Sequence, residues 1–502
     1  MRTFEILLIL ANVSSLFLSF KMSSRRVWIG TAGVNLLLLL VHGLFEGFRY
    51  QLAFSYLFVA LLAMYALIKI SGRFIGKKLP RALKAAIIGL SVVGLAATSY
   101  LAHALPVFTL PKPTGSDAVG VRYMELVDER RDDPFLAPPS RKRRLMVKIY
   151  YPAQDDSSKR YVPYFNGSTE LIQWLTAGYH LPEIAFDQLK LAKTHSKEDL
   201  PLSGKQPDYP VILFSHGAGT TMEAQTSQCE DLASNGYVVM AIDHTYLTAA
   251  TVFPDRTATP VEITAQFQKD VSAQLSQIMA DDQEFVLNQL GEMNDGGTDS
   301  IFKGKLNLNE IGSIGHSLGG SAAYSLAIRD SRVKAAIDLD GTVYDEPEEG
   351  APMAPFLMLA NDLNHVQMIQ SGKGYLQKFE EMTDGQQQVI LSDYGSKKAY
   401  EKDYERANRV SVRLAEILKA SGSLYTIKGS DHMKFTDIGL FVGDRFLRKL
   451  IGIGGDLDPA SNLKITEAVT LSFFDRHLKG ETEESIDSLA VKYPELEKVE
   501  LN

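Results

Sequence analysis

The sequence predicts an α/β fold, a mostly parallel sheet with helices on both faces, preceded by an α-helical membrane region of four spans. Three observations point there. The first 105 residues are dominated by long apolar runs, and short apolar runs alternate with helical patterns through the rest. One of those short runs leads straight into a glycine-bounded turn, GHSLG at 315–319.

Length and composition set the outer limits. At 502 residues the chain accommodates a membrane region and one large domain with its own core. A composition 45% hydrophobic and 22% charged is that of an ordered chain. A net charge of −8 argues against nucleic acid as a partner. The single cysteine, Cys229, permits neither an intrachain disulfide nor a thiolate metal cluster. HExxH, a P-loop and a GxGxxG after a strand are all absent. No metal and no cofactor is expected.

The apolar runs span residues 4–20, 27–45, 52–70 and 83–105. Each comes near the ~20 residues that a helix needs to cross a bilayer. The first is the shortest and matches the apolar core of a signal peptide in length. The sequence after it, KMSSRR at 21–26, offers no small-residue cleavage site, which favours a retained span. Lys21, Arg25 and Arg26 separate the first two spans, and Arg73, Lys77, Lys78, Arg81 and Lys84 fall between or at the edge of the last two. Positive loops stay cytoplasmic, so everything after Leu105 is expected outside the cytoplasm, on a multi-pass cell-membrane protein. His42, Glu46 and Arg49 close the second span, where polar side chains reach the interface at little cost, and are read as interfacial rather than as a transport site.

A Pro- and Gly-containing linker at 106–120 separates this region from a domain expected over 121–480, followed by a polar tail at 481–502. Strands are expected at 145–151, 211–214, 238–242, 311–315, 335–339, 356–360 and 424–427. Most are continuous apolar runs, as befits parallel strands covered on both faces. Helices are expected at 224–235, 264–289, 321–328, 407–420 and 465–478. An apolar stretch at 161–191, broken by Pro182 into two short helices, fits a lid, an interfacial pair or an ordinary packing excursion.

The chemistry gathers at strand ends, where sites on such sheets lie. A GxSxG pentapeptide arises by chance in about one chain in seven of this length. The strand before Gly315 and the helix after Gly319 give it meaning, because that turn raises the Ser317 hydroxyl above the sheet edge and aims a helix N-terminus at the substrate. This is the nucleophile turn of the α/β-hydrolase fold. A serine nucleophile needs a base and a group to orient it, in the chain order serine, acid, histidine. Downstream of Ser317 stand three histidines, His365, His432 and His477. His432 follows a strand in the loop KGSDH and is the expected base. Asp340 and Asp362 both end strands, and the residues alone leave the acid open between them. The oxyanion donors expected are the amides of Ala218, in FSHGAG at 214–219, and Leu318, which follows the nucleophile.

Assembled, these motifs resemble the platelet-activating factor acetylhydrolase family, the plasma and type II intracellular enzymes with their bacterial relatives. The resemblance runs over 110–441. It is carried by LPKPTGSDAVG at 110–120, MVKIYYP at 146–152, FSHGAG at 214–219, DLASNGY at 231–237, GHSLGG at 315–320 and GSDHMKF at 429–435. The family carries its acid in a Leu-Asp pair after the strand that follows the nucleophile helix, which implies Asp340 rather than Asp362. It implies metal-free hydrolysis of short or oxidised acyl esters of phospholipids. Two departures bear on the substrate. Gly341-Thr342 stands where the family often has a bulky residue, and the four-span N-terminus is not part of the usual pattern. A general esterase or depolymerase acting on non-lipid esters is the rival within the same chemistry. A membrane sensor with a ligand-binding, non-catalytic domain is the rival outside it.

Overall fold

The computed structural model describes every residue except 22–23, 72–79, 137, 139–140, 167, 179, 181, 256, 261–270, 298–299, 348–352, 362–364, 422, 482–483 and 502. The chain forms two compact units. One comprises Met1–Thr109, Tyr179–Ala192 and Phe441–Ile451, and the other Leu110–Gly178, Lys193–Leu440 and Gly452–Asn502. The division is less simple than the linear one expected at 106–120, because two segments from beyond the linker pack into the N-terminal unit.

The N-terminal unit is built on four helices, α1 (Thr3–Lys21), α2 (Arg25–Phe45), α3 (Ala53–Ser71) and α4 (Arg81–Ala104). Among the described residues, three helices are long and apolar enough to cross a membrane, at Arg25–Phe45, Tyr50–Ser71 and Arg81–Ala104, and Thr3–Leu18 is a shorter apolar helix. The basic residues Arg73, Lys77 and Lys78 lie outside the described residues. Burial here is inverted relative to a water-soluble bundle. Phe17, Leu37, Leu40 and Leu90 each stand more than 60% exposed. Polar side chains turn inward, with Asn12 Nδ2 donating to Ser55 Oγ at 2.6 Å and Asn35 Nδ2 to Ser15 Oγ at 2.8 Å. An apolar outside with a hydrogen-bonded inside is the arrangement that hydrocarbon favours.

One end of the bundle is tied by charge. The Glu46 carboxylate accepts the amides of Phe4 at 2.9 Å and Glu5 at 3.2 Å, satisfying orphan donors at the start of α1. Arg49 donates from Nη2 to Glu5 at 2.7 Å, and from Nη1 to the Leu105 carbonyl at 2.7 Å, closing the end of α4. His42 Nε2 lies 2.8 Å from the Tyr56 hydroxyl. These residues are therefore not interfacial side chains reaching for water, as the sequence implied. His42 and Glu5 are fully buried, Arg49 is 2% exposed, and together they join the ends of all four helices.

Among the described residues, the second unit is built on an eleven-stranded sheet. In chain order the strands are β1 (Ala118–Asp132), β2 (Lys142–Ala153), β3 (Tyr161–Pro163), β4 (Lys193–Glu198), β5 (Tyr209–Ser215), β6 (Val238–Asp243), the separate hairpin β7 (Ala250–Val252) and β8 (Ala258–Pro260), β9 (Leu306–His316), β10 (Val333–Leu339), β11 (Phe356–Asn361), β12 (Leu424–Ile427) and β13 (Leu496–Lys498). Their order across the sheet is β13-β12-β11-β10-β9-β5-β6-β2-β1-β4-β3. From β6 to β12 every neighbouring pair is parallel, with β2 and β13 antiparallel at the margins of that block. Every residue of β5, β6 and β12 is buried, which is why they read as unbroken apolar runs. Helices cover both faces, giving one apolar core on each side.

All seven expected strands are present. The helix expected at 264–289 is Val271–Asp295, its first residues lying outside those described, and the helix expected at 407–420 extends back to Lys397. The apolar stretch at 161–191 does break at Pro182, with helices Thr169–Gly178 and Glu183–Phe186 on either side. Residues 481–502, expected as a polar tail, instead carry helix Ile486–Lys492 and the edge strand β13, fastened by buried Leu489 and Leu496. Two apolar anchors among charges leave little periodic signal.

The charged knot of the N-terminal unit generates a test. Arg49→Leu takes from the buried Glu5 carboxylate the fully buried one of its two cations, leaving Arg2 at 2.7 Å, and breaking a buried pair costs up to about 3–5 kcal/mol. The full chain in detergent micelles should melt at a correspondingly lower temperature, and the double variant Glu5→Leu, Arg49→Leu should lose less. A single variant as stable as the parent would show that the pair holds nothing together.

Candidate active site

The turn after β9 puts Ser317 in the left-handed region, at φ 56° and ψ −122°, a conformation costly for a residue with a β-carbon. The flanking glycines make that turn possible. A β-carbon on Gly315 would lie 2.2 Å from the carbonyl of Gly319, and one on Gly319 would lie 2.4 Å from the Ser215 carbonyl oxygen. The Ser317 amide donates to the Leu339 carbonyl at 2.9 Å, and helix Leu318–Arg329 starts at the next residue. Ser317 is partly exposed between buried His316 and buried Leu318.

The ends of two further strands meet it. His432 opens a single 3₁₀ turn, His432–Phe435, in the loop after β12, and Asp340 is the first residue after β10. His432 Nε2 lies 3.0 Å from Ser317 Oγ, and its Nδ1 lies 2.6 Å from Asp340 Oδ2. The His432 side chain is 39% exposed, whereas that of Asp340 is fully buried. Asp340 is also left-handed, at φ 58°. Its backbone amide donates to the Leu359 carbonyl at 2.9 Å, and its carboxylate accepts the Asn361 amide at 2.8 Å and Asn361 Nδ2 at 2.7 Å. Burial works to raise the Asp340 pKa, but hydrogen bonds from His365 and His432 outweigh it and hold the carboxyl well below the usual range. The alternative acid, Asp362, lies outside the described residues.

Among the neighbours of these residues, Asn361, His316 and Asp338 escaped the sequence reading as parts of the site, whereas His365 did not. His365, weighed there as a second candidate base, has its Nδ1 3.3 Å from the other Asp340 oxygen and its Nε2 2.8 Å from Thr342 Oγ1. His316 donates from Nε2 to the His432 carbonyl at 2.9 Å, and the two rings lie 4.6 Å apart. Burial, reinforced by His432, lowers the His316 pKa to about 3, so it stays neutral. Asp338, buried below the same strand end, accepts the Gly341 amide at 2.7 Å and is pushed up to about 7 by burial. These contacts cross between strands, so no local spacing announces them. The chemistry of the IDLDG run at 337–341 was the one available signal.

The FSHGAG loop lies against the nucleophile turn, since a β-carbon on Gly217 would come within 3.1 Å of Ser317 Cβ. His216 donates from Nδ1 to the Gly217 carbonyl at 2.8 Å. Among the described residues, neither the Ala218 nor the Leu318 amide has an acceptor within the protein. Buried Phe135, Tyr246, Leu247, Leu275 and Met279 cluster with Leu318, an apolar wall beside the turn. A partly exposed serine, a histidine at hydrogen-bonding distance and a buried ionised carboxylate behind it make up the parts needed for acyl transfer.

Comparison with known proteins agrees with this chemistry. The family model for platelet-activating factor acetylhydrolase, isoform II, matches residues 108–492. A probable 1-alkyl-2-acetylglycerophosphocholine esterase of Arthroderma benhamiae is 24% identical over 424 residues, covering 81% of this chain and 98% of its own. The platelet-activating factor acetylhydrolase of Bos taurus is 22% identical, covering 74% of this chain and 77% of its own. That of Cavia porcellus is 21% identical, covering 66% and 72%. Among solved structures, a ferulic acid esterase from Streptomyces cinnamoneus superposes with a TM-score of 0.56 at 24% identity, over 78% of this chain and 99% of its own, and so shares the fold. Matched across most of its length, the chain belongs to the platelet-activating factor acetylhydrolase isoform II family and is an ester hydrolase.

Proposed function

We propose that the chain is a membrane-anchored serine hydrolase of short or oxidised acyl esters of phospholipids, with Ser317 as nucleophile, His432 as base and Asp340 as the acid. The observation that carries this reading is the continuous line from Ser317 Oγ through both ring nitrogens of His432 to Asp340 Oδ2, at 3.0 and 2.6 Å. His432 takes the Ser317 proton as Oγ attacks the ester carbonyl, and the resulting oxyanion accepts the amides of Ala218 and Leu318. His432 then protonates the departing alcohol, leaving an acyl-enzyme. Water, deprotonated by the same nitrogen, releases the acid and restores Ser317. Asp340 keeps the Nδ1 hydrogen in place and balances the imidazolium throughout.

The substrate class is supported by the names of the relatives, which hydrolyse 1-alkyl-2-acetylglycerophosphocholine or platelet-activating factor. Anchoring is supported by the apolar helices, with α1 read as a fourth span, and the Lys/Arg bias supports a hydrolase outside the cytoplasm. Gly341-Thr342, in place of a bulkier residue beside Asp340, favours a second reading in which the site accepts non-lipid esters as well.

Three outcomes follow. Ser317→Ala should abolish ester hydrolysis with the melting temperature nearly unchanged, and Asp340→Asn should lower kcat by about 10⁴ through a misplaced His432 tautomer. Activity in either variant close to that of the parent would remove that residue from the mechanism. Second, a reporter fused after Leu105 should report from outside the cytoplasm and one fused near Lys77 from inside, and the opposite pattern would reverse the orientation. Third, acetylated lysophospholipid in micelles should be cleaved with a higher kcat/KM than nitrophenyl or feruloyl esters. A preference for the aromatic esters would select the second reading.

A further inference from the structure

Beneath the FSHGAG loop runs a second serine–histidine–aspartate chain that solvent does not reach. Ser215 ends β5, His244 follows β6, and Asp282 and Gln283 sit on helix Val271–Asp295. Ser215 Oγ lies 2.8 Å from His244 Nε2, and His244 Nδ1 lies 3.0 Å from Asp282 Oδ2. Gln283 Nε2 donates to Ser215 Oγ at 2.8 Å, and Gln283 Oε1 accepts from Ser313 Oγ on β9 at 2.6 Å. Asp282 also receives Arg143 Nη2 at 2.7 Å and Arg131 Nη2 at 2.9 Å. Ser215, His244, Asp282, Gln283 and Ser313 are all 0% exposed.

The connectivity fixes the proton positions. Burial works to raise the Asp282 pKa, but Arg143 beside it wins and keeps the carboxylate ionised. Asp282 therefore takes the Nδ1 hydrogen of His244. Burial holds His244 below its ordinary value, so the ring is neutral and its Nε2 accepts the Ser215 hydroxyl. Ser215 in turn accepts from Gln283, and Gln283 from Ser313. A hydroxyl sealed in this way meets no substrate, so the chain is no second catalytic centre.

What it holds is position. β5 runs from Ser215 directly into His216 and Gly217, and so to Ala218. The His244 amide donates to His216 Nε2 at 3.1 Å, and the Leu247 carbonyl accepts the Gly219 amide at 2.7 Å. Ser313 stands on β9 just before the turn that carries Ser317. One directional string of hydrogen bonds thus links the ends of β5, β6 and β9, from which both expected oxyanion amides project. Polar groups buried at this density incur a desolvation cost that an apolar core would avoid, while a fully satisfied network specifies one arrangement.

We propose that Ser215, His244 and Asp282, joined by Gln283 to Ser313, form a positioning relay that sets the Ala218 amide against Ser317 during ester hydrolysis. The proposal rests on the reading of Ala218 as an oxyanion donor.

Ser215→Ala and Gln283→Met cut the string at two points without touching substrate, and Ser313→Ala is a smaller cut for use where either fails to fold. The full-length variants in detergent micelles are compared in kcat, KM and inhibition by a trifluoromethyl ketone, whose adduct oxygen occupies the oxyanion position. Active sites are counted by fluorophosphonate titration. The relay predicts kcat per titrated site lower by about 10–100-fold. KM should stay within about threefold, and ketone affinity should fall in step with kcat. Unchanged kcat per titrated site, whatever the loss in melting temperature, overturns the relay and leaves the network a core stabiliser. Ala218→Pro separates the two readings, because it deletes the amide itself. If Ala218→Pro keeps full kcat, the oxyanion assignment is wrong and the relay falls with it. If Ala218→Pro is inactive while the relay variants match the parent, the relay alone is refuted.

Discussion

The tight turn between β9 and its helix is the constraint on which the site depends. A non-glycine residue at φ 56° survives only where its surroundings determine it, and here they do. The Ser317 amide is claimed by Leu339 of the adjacent strand, and glycines at 315 and 319 let the helix start press against the ends of β9 and β5. With the hydroxyl fixed above the sheet edge, its partners have to come from the ends of neighbouring strands. They come from β10 and β12, which lie on one side of β9, while the FSHGAG loop comes from β5 on the other.

Asp340 repeats the device one strand along. It too is left-handed, and its amide is claimed by Leu359 of β11 as that of Ser317 is by β10. The two strained residues end adjacent parallel strands, so the sheet itself sets their separation. Asp340 is then surrounded by donors, with Asn361 supplying two and the two histidines one each. A carboxylate so saturated stays ionised although buried, which is the state required to orient an imidazole. His365 is part of this cage, and its ring nitrogens are taken up by Asp340 and Thr342.

Much of this was legible in the residues, and what was not has a physical reason. The central strands are buried on both faces, so their composition alone marks them, and the GxSxG turn follows from sterics once a strand and a helix flank it. His432 could be singled out because it follows a strand in the loop KGSDH. Choosing between Asp340 and Asp362 was beyond the residues themselves, since both end strands, and only the family resemblance separated them. Asn361, the bond from His365 to Asp340 and the Ser215–His244–Asp282 chain were invisible because the partners lie on other strands. His42 and Arg49 look like interfacial polar residues until the ends of α1 and α4 are seen to need them. The edge strand β13 is too short and too charged to carry a pattern.

A strained serine, a caged acid and an apolar wall come together as the proposed ester-cleaving site of a chain with an apolar helical N-terminus. The proposed role of Ser317 as nucleophile is tested most directly by covalent mapping. The full-length protein is treated with a fluorophosphonate, digested and sequenced by mass spectrometry, with and without prior incubation with acetylated lysophospholipid. A single adduct per chain is expected, on Ser317 and diminished by the lipid. An adduct on any other serine, or ester hydrolysis that persists after Ser317 is fully modified, would contradict it.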